Sequence, residues 1–325
     1  MRPFAELTRR GQGRRLRALA LDVAEHDYGL GGAHVRLASM HSFNTVFGVQ
    51  HADERAALRI GDACRIHVEG VEDVEADWLD ALRAAGVPCP ANLPASTGAH
   101  WVRRGRPDVD TPRVCSMFTW VAGRPLRELL TPDGMRKAGR LLAAIHQQSA
   151  EYVPRPPIPT GLYANRVVYF HDENRVLTYE SSYGTLFVEA IDRAQRLLDD
   201  LWRSPPGTPQ LLHGDFGPNN VLQSRSRQTV IDFQDVQYGF DLQDVAITMA
   251  DLRRSAPEMI EPFRAGYADE RRWPDLAPDL DAALTAARSL NIMNLGLHLQ
   301  RSGIARRLDF HAQRVAAWMH APERS

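Results

Sequence analysis

The sequence predicts an α+β chain in two lobes, a small antiparallel-sheet lobe over residues 1–118 and a larger, mainly helical lobe over 119–325. Three observations predict it. Short apolar runs separated by turn residues fill positions 34–60, as paired strands require. Beyond residue 131 the apolar residues recur at helical spacing over long segments. The pattern changes near residue 119, and a junction of two such parts leaves a cleft, where ligand sites form. With 325 residues, 44% of them hydrophobic and 24% charged, the chain can bury the core this needs.

The elements follow in order. A basic stretch at about 14–27 reads as a helix, and HVRLASM (34–40), NTVFGVQ (44–50) and RAALRI (55–60) read as strands. In GVEDVEADWLDALRAAG, Val71, Val74, Trp78, Leu79 and Leu82 repeat at helical spacing before Gly86 and Pro88 stop the segment. HWVRR (100–104) and RVCSMFTWV (113–121) are two more strands. Thr131-Pro132-Asp133 opens a helix, with threonine suited to the cap, proline to the first position and aspartate to the positive end of the dipole. The proline-rich connector VPRPPIPTG (153–161) leads into an aromatic stretch without a period (162–184). Its Tyr163, Tyr169, Phe170, His171 and Tyr183 are expected to form a packed insertion, with a lid over a ligand site as the alternative. An amphipathic helix with Leu186, Ile191, Leu197, Leu198 and Leu201 precedes the motifs below, and helices fill the rest.

Composition narrows the partners. A net charge of −1 gives no global field for nucleic acid or an anionic membrane. No run approaches the roughly 18 apolar residues of a membrane span. Cys64, Cys89 and Cys115 are odd in number and lack CxxC spacing, so free thiols in a reducing compartment are expected. The N-terminal stretch lacks an uninterrupted apolar region of the secretory kind. The expected location is the cytoplasm; nothing in the sequence sets the oligomeric state.

The chemistry concentrates in LLHGDFGPNNVL (211–222) and VIDFQDVQYGFDLQD (230–244). Asp215 and Asn220 lie five positions apart in a turn-rich segment, and Asp232 ends a short apolar run. Two carboxylates and an amide presented from turns are hard oxygen ligands that suit Mg²⁺. Phosphoryl transfer needs such a metal together with a carboxylate to accept the acceptor hydroxyl's proton. The D-x-x-x-x-N spacing followed by Asp232-Phe233-Gln234 parallels the protein-kinase layout. His213 reads as a brace for this loop, His146 as a core histidine and Asp235 as a solvated loop residue.

On these residues the chain resembles the aminoglycoside phosphotransferase and choline kinase-like family, and its layout is similar to the stress-response kinase A branch. The resemblance implies a two-lobed protein kinase-like fold, ATP and Mg²⁺ as cofactors, Asp215 as catalytic base, and Asn220 and Asp232 as metal ligands. Gly239 and Asp244 match the family's G-x-x-x-x-D, with Asp244 structural. SFNTVFGV (42–49) resembles the phosphate-covering hairpin, with Asn44 near its tip. MFTWVAGRPL (117–126) resembles the hinge that meets adenine, which adds Met117, Phe118 and Thr119 to the nucleotide site. The strand-three lysine of kinases is absent: Arg59 takes that place, and Lys137, the only lysine, lies in the other lobe. Glu75 shares a helix stripe with Val71, Leu79 and Leu82 and is the expected partner of Arg59.

The function this predicts is transfer of the γ-phosphate of ATP to a hydroxyl of a small molecule. A Ser/Thr protein kinase is the first alternative, and a nucleotide-binding regulator without transfer activity, motivated by Arg59, is the second. Residues 251–325 hold 11 arginines against 10 acidic residues, so no acidic surface awaits a polycationic aminoglycoside, and a neutral or zwitterionic metabolite suits the region better. Arg288, Asn291 and His298 are polar positions in that region to which the sequence assigns no role.

Overall fold

The computed structural model of the chain describes residues 2–40, 44–171, 173–179, 182–225, 227–299 and 304–321. Ser42 and Phe43 of the predicted hairpin lie outside the described residues. Helix α1 (Arg9–Asp22) begins earlier than the apolar pattern indicates, because the Thr8 hydroxyl caps it by accepting from the Gly11 amide. It runs on through a wider turn, Val23–Asp27. Strands β1 (His34–Met40), β2 (Asn44–His51), β3 (Glu54–Gly61), β4 (Asn92–Leu93), β5 (Val102–Arg104) and β6 (Arg113–Thr119) form one sheet in the order β1-β2-β3-β6-β4. Every pairing in it is antiparallel, and β5 also pairs with β6.

Strand alternation decides what this sheet buries. Leu58 and Ile60 pair with Met117 and Cys115 and pack with Leu19, Val23 and Phe47 into a core beneath α1. Arg59 and its partner Ser116 therefore emerge on the opposite face, together with Phe118. Helix α2 (Val71–Ala84) contributes Val71, Val74, Trp78, Leu79 and Leu82 to a second core that also holds Phe118, Leu142, Ile145, Phe216 and Phe233. That cluster runs without a break from α2 into the helical part.

In the helical part α3 (Pro132–Glu151) starts as expected, with the Thr131 hydroxyl accepting from the Gly134 amide at 3.0 Å. A Cβ at Gly139 of α3 would lie 2.1 Å from the Phe263 carbonyl oxygen, and one at Gly266 would lie 1.8 Å from that of Arg136. The glycines thus let α3 and a later helix, Ile260–Glu270, meet backbone to backbone. Helix α4 (Leu186–Arg203) follows, then α5 (Asp241–Ser255), α6 (Ile260–Glu270), α7 (Pro278–Leu299) and α8 (Ile304–His320), with α4, α7 and α8 sharing a third core. Strands β7 (Arg124–Pro125), β8 (Gln210–Leu212), β9 (Val221–Gln223), β10 (Gln228–Val230) and β11 (Gln237–Gly239) are two or three residues long. β10-β9-β7 and β11-β8 hold the turns at 213–220 and 231–236 side by side. Runs this short carry no readable period, so β4 and β7 are invisible in the sequence.

The aperiodic stretch 162–184 is packed, as expected. Tyr163 lies against Tyr238 and Trp202, and Tyr183 against Phe187. Helix α7 stitches it down: Asn291 Oδ1 accepts from the amides of Tyr169 (3.0 Å) and Phe170 (2.9 Å). Asn294 accepts from the Arg175 amide at 2.7 Å and donates to the carbonyls of Phe170 and Glu173. Among the described residues no helix is long and apolar enough to cross a membrane.

Candidate active site

The turn after β8 is built to hold one carboxylate. Gly214 adopts φ +75°, and a Cβ there would lie 1.9 Å from the Asp235 carbonyl oxygen, so glycine is required twice over. Buried Asp244, in the first turns of α5, accepts from the His213 and Gly214 amides, each at 2.7 Å, and meets His146 Nε2 at 3.2 Å. Burial opposes its charge, yet His146, His213 and the backbone donors hold the Asp244 carboxyl below the usual carboxylate range. The structural reading of Asp244 is therefore apt, and His146, wholly buried, also meets the Tyr267 hydroxyl at 2.8 Å. His213 Nε2 lies 3.1 Å from the Ile231 carbonyl. A carbonyl only accepts, so Nε2 carries the proton and Nδ1 is left to accept from the Asp215 amide at 3.3 Å. Asn220 Nδ2 closes the loop by donating to Asp215 Oδ2 at 3.0 Å and to its carbonyl at 2.9 Å. The five-residue spacing is the span of that closure.

Facing this loop, Asp232 sits in a left-handed conformation at φ +68°, one of three such non-glycine residues among those described. Strain of this kind persists where the surroundings over-determine it. Desolvation, with Asp235, Asp215 and Glu75 adding to it against the pull of Arg59, pushes the Asp232 carboxyl up to about 7. Arg59 and Glu75 form the expected pair, with Nη1 2.9 Å from Oε1 and Nη2 bonded to Oε2. This is the two-pronged geometry that only arginine offers. Burial opposes the Arg59 charge, but Glu75, helped by Asp232, outweighs it and holds the guanidinium above its ordinary pKa. The guanidinium lies over the Phe118 ring at 4.9 Å. Asn44 donates to Gln234 Oε1, joining β2 to the turn that carries Asp232. A cavity of about 100 Å³ opens between Asn44, Arg59, Glu75, Ser116 and Gln234.

The structure thus brings Asn44, Arg59 and Glu75 together at this cavity, with Phe118 beneath the Arg59 guanidinium and Asp232 close enough to act on its charge, while Asn220 and Asp215 are joined in the neighbouring loop. The side chain of Met117 does not join them, because alternation sends it into the core beneath α1. Thr119 is bound to Ala91, with 2.9 Å between each amide and its acceptor. Asp235 corrects the sequence reading. It is not solvated but 4% exposed, and its Oδ1 meets His67 Nε2 at 2.8 Å. Sequence reasoning also left out Arg288. From α7 its Nη2 donates to Asp215 Oδ1 at 2.7 Å and its Nη1 to the Tyr169 hydroxyl at 2.8 Å, with Asp235 3.6 Å away. The available signal was the stripe Arg288, Asn291, Asn294 at three-residue spacing in a stretch of the helix where Leu290, Ile292, Met293 and Leu295 are apolar.

The donors are of the hard-oxygen kind that suits a divalent cation, and the Ile231 amide's bond to the Asn220 carbonyl at 2.9 Å holds the turns of Asn220 and Asp232 together. Asp215, Asp232, Asp235 and Asn220 present oxygen, and the nearby arginines already serve Glu75 and Tyr169 as well as these carboxylates. Burial, and then the neighbouring carboxylates, raise the Asp232 carboxyl, and a cation bound there would oppose both.

Sheet over helices, joined at a cleft with this loop pair, defines the two-lobed kinase-like fold. Solved structures share it. The microcompartment-associated aminopropanol kinase is 23% identical, with 93% of this chain and 96% of that one covered at a TM-score of 0.70. An amicoumacin kinase complexed with AMP-PNP and Ca²⁺ is 17% identical, with 96% of each chain covered at 0.75. A choline/ethanolamine kinase family protein from Mesorhizobium loti is 18% identical, with 96% of each covered at 0.63. The profile of the phosphotransferase enzyme family (APH) matches residues 34–278, and the chain belongs to that family. No curated protein matches the sequence.

Proposed function

We propose that the protein is an ATP- and Mg²⁺-dependent kinase that moves the γ-phosphate to a hydroxyl group of a small molecule. The observation that carries this is the convergence of Asp215, Asn220 and Asp232 opposite the Arg59–Glu75 pair. Complexes of the fold's relatives with AMP-PNP or ADP support a nucleotide in the cleft. In this reading residues 1–118 cover the nucleotide and 119–325 carry the catalytic loop and the acceptor site.

Arg59, steadied by Glu75, offers its charge to the nucleotide phosphates, and Asn44 lines the same side. Asn220 and Asp232 would hold Mg²⁺, which neutralises phosphate charge when bound. Asp215 takes the acceptor hydroxyl's proton while the acceptor oxygen forms its bond to the γ-phosphorus and the bond to the bridging β,γ-oxygen breaks, releasing ADP. Desolvation, reinforced by Asp235 against Arg288, raises the Asp215 carboxyl above its ordinary range, nearer to what a base at neutral pH needs. His213 and Asn220 fix its direction.

The test is incubation with γ-labelled ATP, Mg²⁺ and the small-molecule and polypeptide fractions of a cell extract, with an EDTA control. Label entering small molecules only when Mg²⁺ is present is the expected result. Label entering polypeptides would put the Ser/Thr protein kinase reading in its place. Bound nucleotide with no transfer to either fraction would leave a nucleotide-binding regulator.

A further inference from the structure

Arg288 occupies the place where an acceptor has to arrive. Asn220 donates to Oδ2 of Asp215 and the Arg288 guanidinium lies against Oδ1 at 2.7 Å, so a hydroxyl reaching this carboxylate arrives beside a cation. The Arg288 side chain is only 17% exposed. When a hydroxyl displaces it, a nearly buried cation loses its close carboxylate. What remains is the longer ion pair with Asp235 Oδ2 at 3.6 Å, the other oxygen of that carboxylate being bonded to His67. Taking its closest anion from a nearly buried cation is costly even so. An acceptor that carries its own anion offsets that cost.

We propose, resting on the kinase reading above, that the acceptor is a hydroxy acid whose carboxylate takes the Arg288 guanidinium from Asp215. One exchange then does two things: it holds the substrate and uncovers the base beside the hydroxyl. The guanidinium fork matches a carboxylate in two parallel bonds, and the carboxylate it would release is of the same shape and charge. A phosphate dianion suits the place less, because Asp235 and Asp232 stand close by and the nucleotide's own phosphates would share the cleft. The Tyr169 hydroxyl, anchored by Arg288 Nη1 at 2.8 Å on a loop fixed to α7 through Asn291, gives that fork one orientation. The balance between 11 arginines and 10 acidic residues over 251–325 agrees with an acceptor that is not a polycation.

A mixture of metabolites serves as the acceptor source. The small-molecule fraction of a cell extract is divided, one part left as it is, one treated with mild methanolic acid to esterify carboxylates, and one esterified and then saponified. Each receives native protein, Mg²⁺ and γ-labelled ATP. The proposal expects label in the untreated part, its loss on esterification and its return on saponification. It further expects that Arg288→Gln raises the KM for the purified acceptor roughly 10–100-fold, the worth of a hydrogen bond to a charged group. In that variant the KM for ATP stays unchanged, and Arg288→Lys recovers part of the loss. Equal labelling of the untreated and esterified parts would overturn the hydroxy-acid inference and leave the kinase reading standing. No label in any part would remove the kinase reading and this inference with it.

Discussion

At the scale of single residues, the proposed nucleotide site puts Arg59 where kinases keep a lysine, and its two-pronged bond to Glu75 holds it there. The fork pairs with the carboxylate through both Nη atoms, and the Arg59 side chain lines the cavity. Arg59→Met is expected to lower kcat/KM for ATP by about 10²-fold through the lost charge-assisted bonds, while Arg59→Lys loses less. Steady-state kinetics at varied ATP checks this, and equal activity of both variants with the native protein would remove Arg59 from the nucleotide site. Asp244 carries a second expectation. Its folded-state pKa lies below the unfolded value of about 3.9, so its contribution to stability is present above that pH and is lost as the pH falls through the folded value. Urea midpoints from pH 7 to pH 3 should decline below about pH 4, and Asp244→Asn should be less stable at neutral pH with a shallower acid loss. An acid loss as steep in the variant as in the native protein would place the titration elsewhere. Asp215, Asn220 and Asp244 were legible in the sequence because short turns and a fixed spacing carry them. Arg288 and the burial of Asp235 were not, since they depend on partners 73 and 168 residues away in the chain.

At the scale of elements, helix α7 does more than fill the helical part. Its polar stripe pins the aromatic stretch beside the loop of Asp215, and the aromatic stretch in turn presents Tyr169 to Arg288. Asn294→Ala removes the partners of the Arg175 amide and of the Phe170 and Glu173 carbonyls. Amide exchange across 169–176 should quicken, with local stability lowered by about 1–3 kcal/mol, while exchange in α3 stays unchanged. Unaltered exchange in the stretch would mean that aromatic packing alone holds it. The sequence announced α2, α3 and the first three strands through period, caps and turn residues. Residues 162–184 carry no period in the sequence, because side-chain bonds at 169, 170, 173 and 175 run to a helix more than a hundred positions later.

At the scale of the whole molecule, the two-part pattern of strands then helices carried the fold, and one continuous core from α2 into α3 carries its assembly. That continuity places Glu75, on α2, at Arg59 and against the side of the cleft opposite Asp215. The central claim is that this cleft transfers a phosphoryl group with Asp215 as its base, and comparison of the native protein with Asp215→Asn tests it most directly. Turnover and Mg·ATP binding are measured on the same two preparations. Turnover in Asp215→Asn should fall by roughly 10²–10⁴-fold, the usual worth of a general base, with nucleotide affinity kept. Turnover equal to that of the native protein would contradict the account.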